Sequence, residues 1–189
     1  MRILWRQFSL SACLTASVLC APGQERSKPL SVPLREPSGR AVGFVTFRET
    51  MAGKLNIDIQ VIDLLPGEHA VHIHLNPVCD GSVDFRSAGG HFDPFGKQHG
   101  TMNPLGHHAG DLPENLTVTA QPMGNNFRRI GAANFTVDDL SLTPGAKNSI
   151  LGRSIVVHEK ADDMRTDPSG NAGNRVACGV IAWPDQKNR

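Results

Sequence analysis

Between residues 54 and 62 the chain reads KLNIDIQVI, in which Leu55, Ile57, Ile59 and Val61 alternate with Asn56, Asp58 and Gln60. A period of two places the apolar side chains on one face of an extended strand and the polar ones on the other. A helix repeats every 3.6 residues and would scatter them around its axis. AVGFVTFRE, residues 41–49, reads as the preceding strand, with Met51, Ala52 and Gly53 in the turn. Further strands are predicted at 70–75 (AVHIHL), 116–121 (LTVTAQ), 134–138 (NFTVD), 154–159 (SIVVHE) and 177–183 (ACGVIAW). No stretch of 15 residues carries a helical stripe. Short strands joined by Gly- and Pro-rich turns predict an all-β fold, an antiparallel sandwich or barrel.

The 189 residues suffice for one domain with extensions. The hydrophobic fraction is 39%, the charged fraction 20% and the formal net charge +1. These values exclude a collagen-like repeat, a coiled coil and a multi-span membrane protein, and argue against nucleic-acid binding, which needs a basic excess. Residues 1–21 have the shape of a secretory signal: Arg2 and Arg6, an apolar and small-residue run from Phe8 to Ala21, then Pro22 and Gly23. Leu10-Ser11-Ala12-Cys13 is also similar to a bacterial lipoprotein box, which would acylate Cys13 and anchor the protein to a membrane. Residues 22–37 read as a flexible lead and 38–186 as the domain. Cleavage near Ala21 leaves two cysteines, Cys79 and Cys178, and an even pair in an exported chain implies a disulfide; two buried free thiols is the competing reading.

Two segments break the strand rhythm. Residues 77–114 are rich in Gly, His, Asp and Pro, and residues 160–176 are polar and glycine-rich. Long loops inside a compact domain are commonly functional. All eight histidines (His69, His72, His74, His91, His99, His107, His108 and His158) fall between residues 69 and 158. His72 and His74 are two apart on a predicted strand, so both rings take one face, leaving Val71, Ile73 and Leu75 for the core. Paired imidazoles suit copper or zinc. The loop offers His91, His99, His108 and Asp111, and three imidazoles with one carboxylate make a tetrahedral zinc set. His158, ending another strand, can join His72 and His74. Spacing alone does not say which loop histidine serves which metal, and it leaves His69 and His107 without a required role.

Five blocks in order carry a resemblance: HAVHIH (69–74), SAGGHFDP (87–94), HAGDLP (108–113), GRSIVVHEKADD (152–163) and GNAGNRVACGVI (170–181). Over roughly residues 38–184 the chain resembles the copper/zinc superoxide dismutases, specifically their exported bacterial branch. The resemblance implies an eight-stranded Greek-key barrel with a long metal-binding loop and a polar active-site loop. It implies copper held by His72, His74, His91 and His158, and zinc held by His91, His99, His108 and Asp111, with His91 shared. Asp162 matches the carboxylate joining a copper-side to a zinc-side histidine, and Arg175 the arginine near copper. Cys79 and Cys178 match the disulfide. Ala70, Leu75 and Gly90 depart from the common pattern without removing a ligand.

The activity implied is dismutation of superoxide to dioxygen and hydrogen peroxide, with Cu(II)/Cu(I) cycling, zinc ordering the loop, and His91 and Arg175 taking part in catalysis. Lys97, Lys160 and Arg165 are candidates for attracting the anion, while Asp138, Asp139, Asp167 and Asp185 acquire no role. A periplasmic copper/zinc store or delivery module is the alternative. A zinc hydrolase is disfavoured because it needs an open zinc position. The expected setting is the periplasm or another exported compartment, as a monomer or a bacterial-type homodimer.

Overall fold

The computed structural model describes residues 28–184. The expected signal at 1–21, the acylation site at Cys13, Asp185 and the last residue of the expected domain, 186, lie outside the described residues. Among the described residues nine strands run in chain order: β1 Leu30–Arg35, β2 Ala41–Glu49, β3 Leu55–Ile62, β4 Gly67–His69, β5 Val71–His74, β6 Leu116–Met123, β7 Asn126–Val137, β8 Arg153–His158 and β9 Arg175–Ile181. They form one sheet in the order β4-β6-β7-β3-β2-β1-β9-β8-β5. Every pairing within it is antiparallel. The terminal strands of that order, β4 and β5, are separated in the chain only by Ala70. The sheet therefore curls until its two ends meet, giving an all-β, nearly closed barrel.

Period-two patterning drives the curl. Leu55, Ile57, Ile59 and Val61 on β3 are all buried, and Leu30, Val32 and Leu34 do the same on β1. Each such side chain contributes about 1.5–3 kcal/mol relative to exposure. Between β1 and β2 the register slips, with Leu34 opposite Gly43 and Arg35 opposite Ala41. The bulge moves the buried set of β2 from Val42 to Val45 and Phe47. A side chain at Gly43 would drive into the backbone of Gln60 and Val61 on β3.

Several expectations are corrected here. The barrel has nine strands and not eight. Two of the nine add to the seven strands read from the alternation, and one addition, β1, lies inside the segment read as a flexible lead over 22–37. Its Pro33 obscured an alternation that was present, and the strand tolerates the proline because its pairing with β9 is confined to Arg35 and Cys178. The other addition, β4, is only three residues long. The strand expected at 134–138 begins at Asn126, and the last strand starts at Arg175 and not at residue 177. Leu75 lies past the end of β5 and is 44% exposed, so the core face of that strand is Val71 and Ile73 alone.

Loops 75–115 and 159–174 follow β5 and β8. All four residues of β5 are buried, its outer face included, as expected where loops cover a barrel wall. A small second core pins the first loop down: Phe85 and Ala88 pack with Val156 and Cys178, and Cys79 adjoins them. The Cys79–Cys178 disulfide crosses there, with its Cα atoms 5.7 Å apart and the two cysteines 99 positions apart in the chain. Among the described residues no helix is long and apolar enough to cross a membrane.

Candidate metal centre

Strand β5 sets the site. Val71 and Ile73 fill the barrel, so His72 and His74 emerge on the outer face. The free edge of β5 is paired by the loop that follows it. The Phe92 N–H donates to the Ile73 carbonyl, the Ile73 N–H to the Gly110 carbonyl and the Leu75 N–H to the Gly90 carbonyl, at 2.8, 2.9 and 2.9 Å. These bonds bring His91 opposite His74 and Asp111 opposite His72. Beside them, β8 ends in His158, whose Nε2 lies 3.3 Å from His74 Nε2.

Two groups of ligand atoms result. His72, His74, His91 and His158 form one, and His72, His91, His99 and Asp111 another. His108 belongs with the second, because its Nδ1 lies 3.2 Å from Asp111 Oδ1. The same oxygen is 2.8 Å from His91 Nδ1 and 3.0 Å from His99 Nδ1. Ligand–ligand edges of a tetrahedral zinc site are about 3.4 Å, given bonds of about 2.0–2.2 Å, so this cluster is close to that size. His72 is committed elsewhere, since its Nε2 lies 2.7 Å from Asp162 Oδ2. That leaves its Nδ1 for an ion of the first group.

Two buried atoms decide the fit. Among the described residues, His72 Nδ1 and His91 Nε2 have no hydrogen-bond partner. Their rings are 4.0 Å apart, centroid to centroid. Buried polar atoms are rarely left unsatisfied, and an ion between these rings would satisfy both. With Nδ1 turned to Asp111 and Nε2 turned away, His91 faces both groups at once.

The electrostatics of the two groups differ. Burial, followed by neighbouring imidazoles and Arg175, holds His74 well below the ordinary histidine value. Burial first, then His72, lowers His158 to about 3. Burial also lowers His91, to about 4, against the pull of Asp111. These rings are neutral and ready to bind metal at neutral pH. On the other side, burial pushes His99 down, but hydrogen bonds to Asp111 and Asp162 outweigh it and raise the ring to about 9. His108 is raised chiefly by its hydrogen bond to Asp111. Asp111 is itself held far below the carboxylate range, because bonds from His108, His91, His99 and the Gly100 N–H together overcome burial.

Asp162 ties the groups together: Oδ2 to His72 Nε2 at 2.7 Å and Oδ1 to His99 Nε2 at 3.0 Å. Two residues that the sequence reading passed over hold it in place. Asn115 brackets its backbone, accepting from the Asp162 N–H at 2.8 Å and donating to its carbonyl at 3.1 Å. Gly170 has φ +62°, and a Cβ there would stand 2.7 Å from His99 Nε2 and closer still to Asp162 Oδ1. Asn115 lies just past the HAGDLP block and Gly170 opens the last one, so adjacency to those blocks was the available signal. Asp167, left without a role, accepts a hydrogen bond from the His99 N–H.

His69 sits outside both groups, with Nδ1 2.7 Å from the His158 carbonyl and Nε2 2.8 Å from that of Leu65. His107 also stays outside, donating from Nδ1 to the His108 carbonyl at 2.8 Å. The half-buried Arg175 donates from Nη1 to the Phe85 carbonyl and from Nη2 to the Gly89 carbonyl, both at 2.6 Å. It lines a cavity of about 400 Å³ together with His74, His91, His108, His158, Pro168 and Ser169. Of the three expected attracting cations, Lys97 turns to the Leu105 carbonyl at 3.3 Å, and the Lys160 stem lies near Gly173. Nothing in the structure brings Arg165 to this cavity.

Residues 41–181 match the family model described as copper/zinc superoxide dismutase. The chain belongs to the copper/zinc superoxide dismutase family. It is 42% identical over 147 residues to superoxide dismutase [Cu-Zn] 1 of Aquifex aeolicus, covering 76% of this chain and 81% of that one. It is 41% identical over 160 residues to the superoxide dismutase-like protein YojM of Bacillus subtilis, covering 82% and 77%. Among solved structures it is similar to the Cu/Zn superoxide dismutase from Brucella abortus, with a TM-score of 0.63 and 30% identity over 82% of this chain and 99% of the other. Copper and zinc are the metals of this superoxide dismutase family, and the two histidine clusters are groups that can hold them.

Proposed function

We propose that the protein disproportionates superoxide: two superoxide ions and two protons give dioxygen and hydrogen peroxide. His72, His74, His91 and His158 hold copper, and His91, His99, His108 and Asp111 hold zinc. When bound, copper supplies the one-electron Cu(II)/Cu(I) couple, and zinc, which has no redox chemistry, orders the loop. The Arg175 guanidinium binds and orients the incoming anion. His91 Nε2, which has no hydrogen-bond partner among the described residues, would take a proton and pass it to the second superoxide. Asp162 fixes the tautomers of His72 and His99.

One observation carries this reading. A half-buried guanidinium shares a cavity with His74, His91 and His158, three of the four copper-side histidines. The carbonyls of Phe85 and Gly89 anchor that guanidinium. A store or delivery module would use the same imidazoles but gives no reason for a positive charge held where a small anion must arrive. A Bacillus relative bears the name of a dismutase-like protein, so turnover needs its own support, and Arg175 supplies it. The test is pulse-radiolysis turnover on purified protein with copper and zinc counted in the same sample. Turnover proportional to copper content supports the enzyme, whereas full copper with no catalysis supports storage.

The compartment we propose is the periplasm or another exported space. The Cys79–Cys178 disulfide supports it, since disulfides persist in oxidising compartments. The leader-like residues 1–21 support it independently.

A further inference from the structure

Strands β6 and β7 run on past the end of the barrel. β6 pairs with β4 only as far as Val118, and β7 pairs with β3 only from Ile130 onward. Beyond those points the two strands pair with each other, from Thr119 opposite Ile130 to Met123 opposite Asn126. Gly124, at φ +59°, turns the chain with Asn125. Every residue from Thr119 to Arg128 is exposed, yet several are apolar. Phe127 is 76% exposed and Met123 53%, with Ala120, Pro122 and Ile130 beside them. Period two puts Ala120, Pro122 and Phe127 on the face that Val118 buries within the barrel, and Met123 and Ile130 on the other. Both faces of the ribbon are therefore apolar. Each also carries a cation, Arg129 beside Phe127 and Arg128 beside Met123. From Asn115 to Val137 the chain holds no Asp or Glu. Among the described residues no carboxylate lies within ion-pair distance of Arg128 or Arg129. Asp63, whose N–H donates to the Arg129 carbonyl at the base of the ribbon, turns its own carboxylate to Arg40 at 3.4 Å.

We propose that the tip of this hairpin docks the protein on an anionic phospholipid surface. Met123 and Phe127 enter the headgroup layer, and Arg128 and Arg129 meet the lipid phosphates. Charge complementarity selects an anionic partner, because two unneutralised guanidiniums flank the apolar tip. It disfavours a second copy of this chain, which would bring like charges together. The two-sided apolar ribbon favours lipid over an acidic protein. A protein partner covers one face, whereas a headgroup layer surrounds the tip and covers both. Insertion stays shallow, because the free edges of β6 and β7 carry backbone N–H and C=O groups that hydrocarbon cannot satisfy. Pro122 removes one such donor. The hairpin contributes no residue to the metal centre, so this role is independent of the proposed reaction.

The test is co-sedimentation of the exported, metal-loaded protein with phospholipid vesicles. Cys13→Ser is carried throughout, so that no acyl chain contributes. Vesicles of phosphatidylglycerol with phosphatidylcholine should bind the parent at low salt, and vesicles of phosphatidylcholine alone should bind it far less. A basic residue at such a surface is worth about five-fold in partition, so Arg128→Gln with Arg129→Gln should lower binding about 25-fold. Phe127→Ser should lower it about ten-fold. High salt should remove most of the preference for phosphatidylglycerol as the Debye length shrinks. Exposed positions tolerate these changes, and an unchanged denaturation midpoint and metal content confirm the fold of each variant. Insertion is read separately: Phe127→Trp should show a blue-shifted tryptophan emission on phosphatidylglycerol vesicles and none on phosphatidylcholine. Equal binding of parent and both variants would overturn the proposal, as would bound Phe127→Trp with unshifted emission. A dimer in sedimentation equilibrium that Phe127→Ser abolishes, with no vesicle binding by the parent, would give the hairpin to a second copy instead.

Discussion

His72 and His99 are joined through one carboxylate: Asp162 places Oδ2 2.7 Å from His72 Nε2 and Oδ1 3.0 Å from His99 Nε2. The two rings belong to different ligand groups, so a single buried side chain sets the orientation of both. Carboxylates that hold ligating histidines typically alter metal affinity 10–100-fold when lost. Asp162→Ala should therefore weaken both metals by about that factor, measured by competition with a chelator. Asp162→Asn should be milder, because an amide oxygen can still accept from one ring. Loss confined to one metal would contradict the shared role.

The two groups should also separate by mutation. Asp111→Ala removes the oxygen on which His91, His99 and His108 converge, so zinc should be lost first. His158→Ala takes one imidazole from the copper group only, and should abolish most turnover while zinc stays bound. Metal analysis of both folded variants decides it, and equal loss of both metals in each would refute the partition.

Acid should release the metals in order. His99, raised to about 9, carries a proton at pH 7 in the metal-free protein, which zinc must displace. His91 and His158, lowered to about 4 and about 3, are already neutral. Proton competition at His99 grows as pH falls below about 9, while at His91 and His158 it begins only near 4. From pH 7 to pH 5, zinc affinity should fall about 100-fold for one displaced proton, with copper affinity changing far less. Calorimetric titrations at the two pH values, in buffers of different ionisation enthalpy, read both affinity and proton release. Parallel pH dependence for the two metals would be the contrary result.

The barrel and the ligand residues were legible for different reasons. Alternation marks β3 without help, because Leu55, Ile57, Ile59 and Val61 all face inward. It failed on β1, where Pro33 interrupts a pattern that is fully present, and on β4, which is too short to show a period. The ligand histidines stood out as a cluster, and the family blocks sorted them in a way that spacing could not. Asn115, Gly170 and Asp167 stayed hidden because their work is done through backbone contacts and close approach. Such roles leave no residue-type signature, since an isolated Asn, Gly or Asp also reads as a turn.

Removing the disulfide should cost stability and position together. Its loop spans 99 residues, for which the chain-entropy model gives about 4.7 kcal/mol. The Cys79→Ser, Cys178→Ser double variant should unfold at markedly lower denaturant concentration. Phe85 and Gly89, which anchor Arg175, lie on the loop so released. Turnover per bound copper should therefore fall as well. A destabilised variant with unchanged turnover per copper would separate the disulfide from the positioning of Arg175.

The most direct measurement is the pulse-radiolysis rate constant for superoxide in the parent and in Arg175→Lys, Arg175→Ala and Arg175→Glu, at low and high ionic strength, with copper and zinc counted in every sample. All four should hold both metals, because the guanidinium is not a ligand. The rate should fall in the order Arg, Lys, Ala, Glu, with part of the spread disappearing as salt rises and the Debye length shrinks. The remainder should persist, because a fixed donor also orients the bound anion. Equal rates for all four at equal metal content would remove Arg175 from the chemistry. A fully metallated parent no faster than uncatalysed dismutation would contradict the enzyme outright.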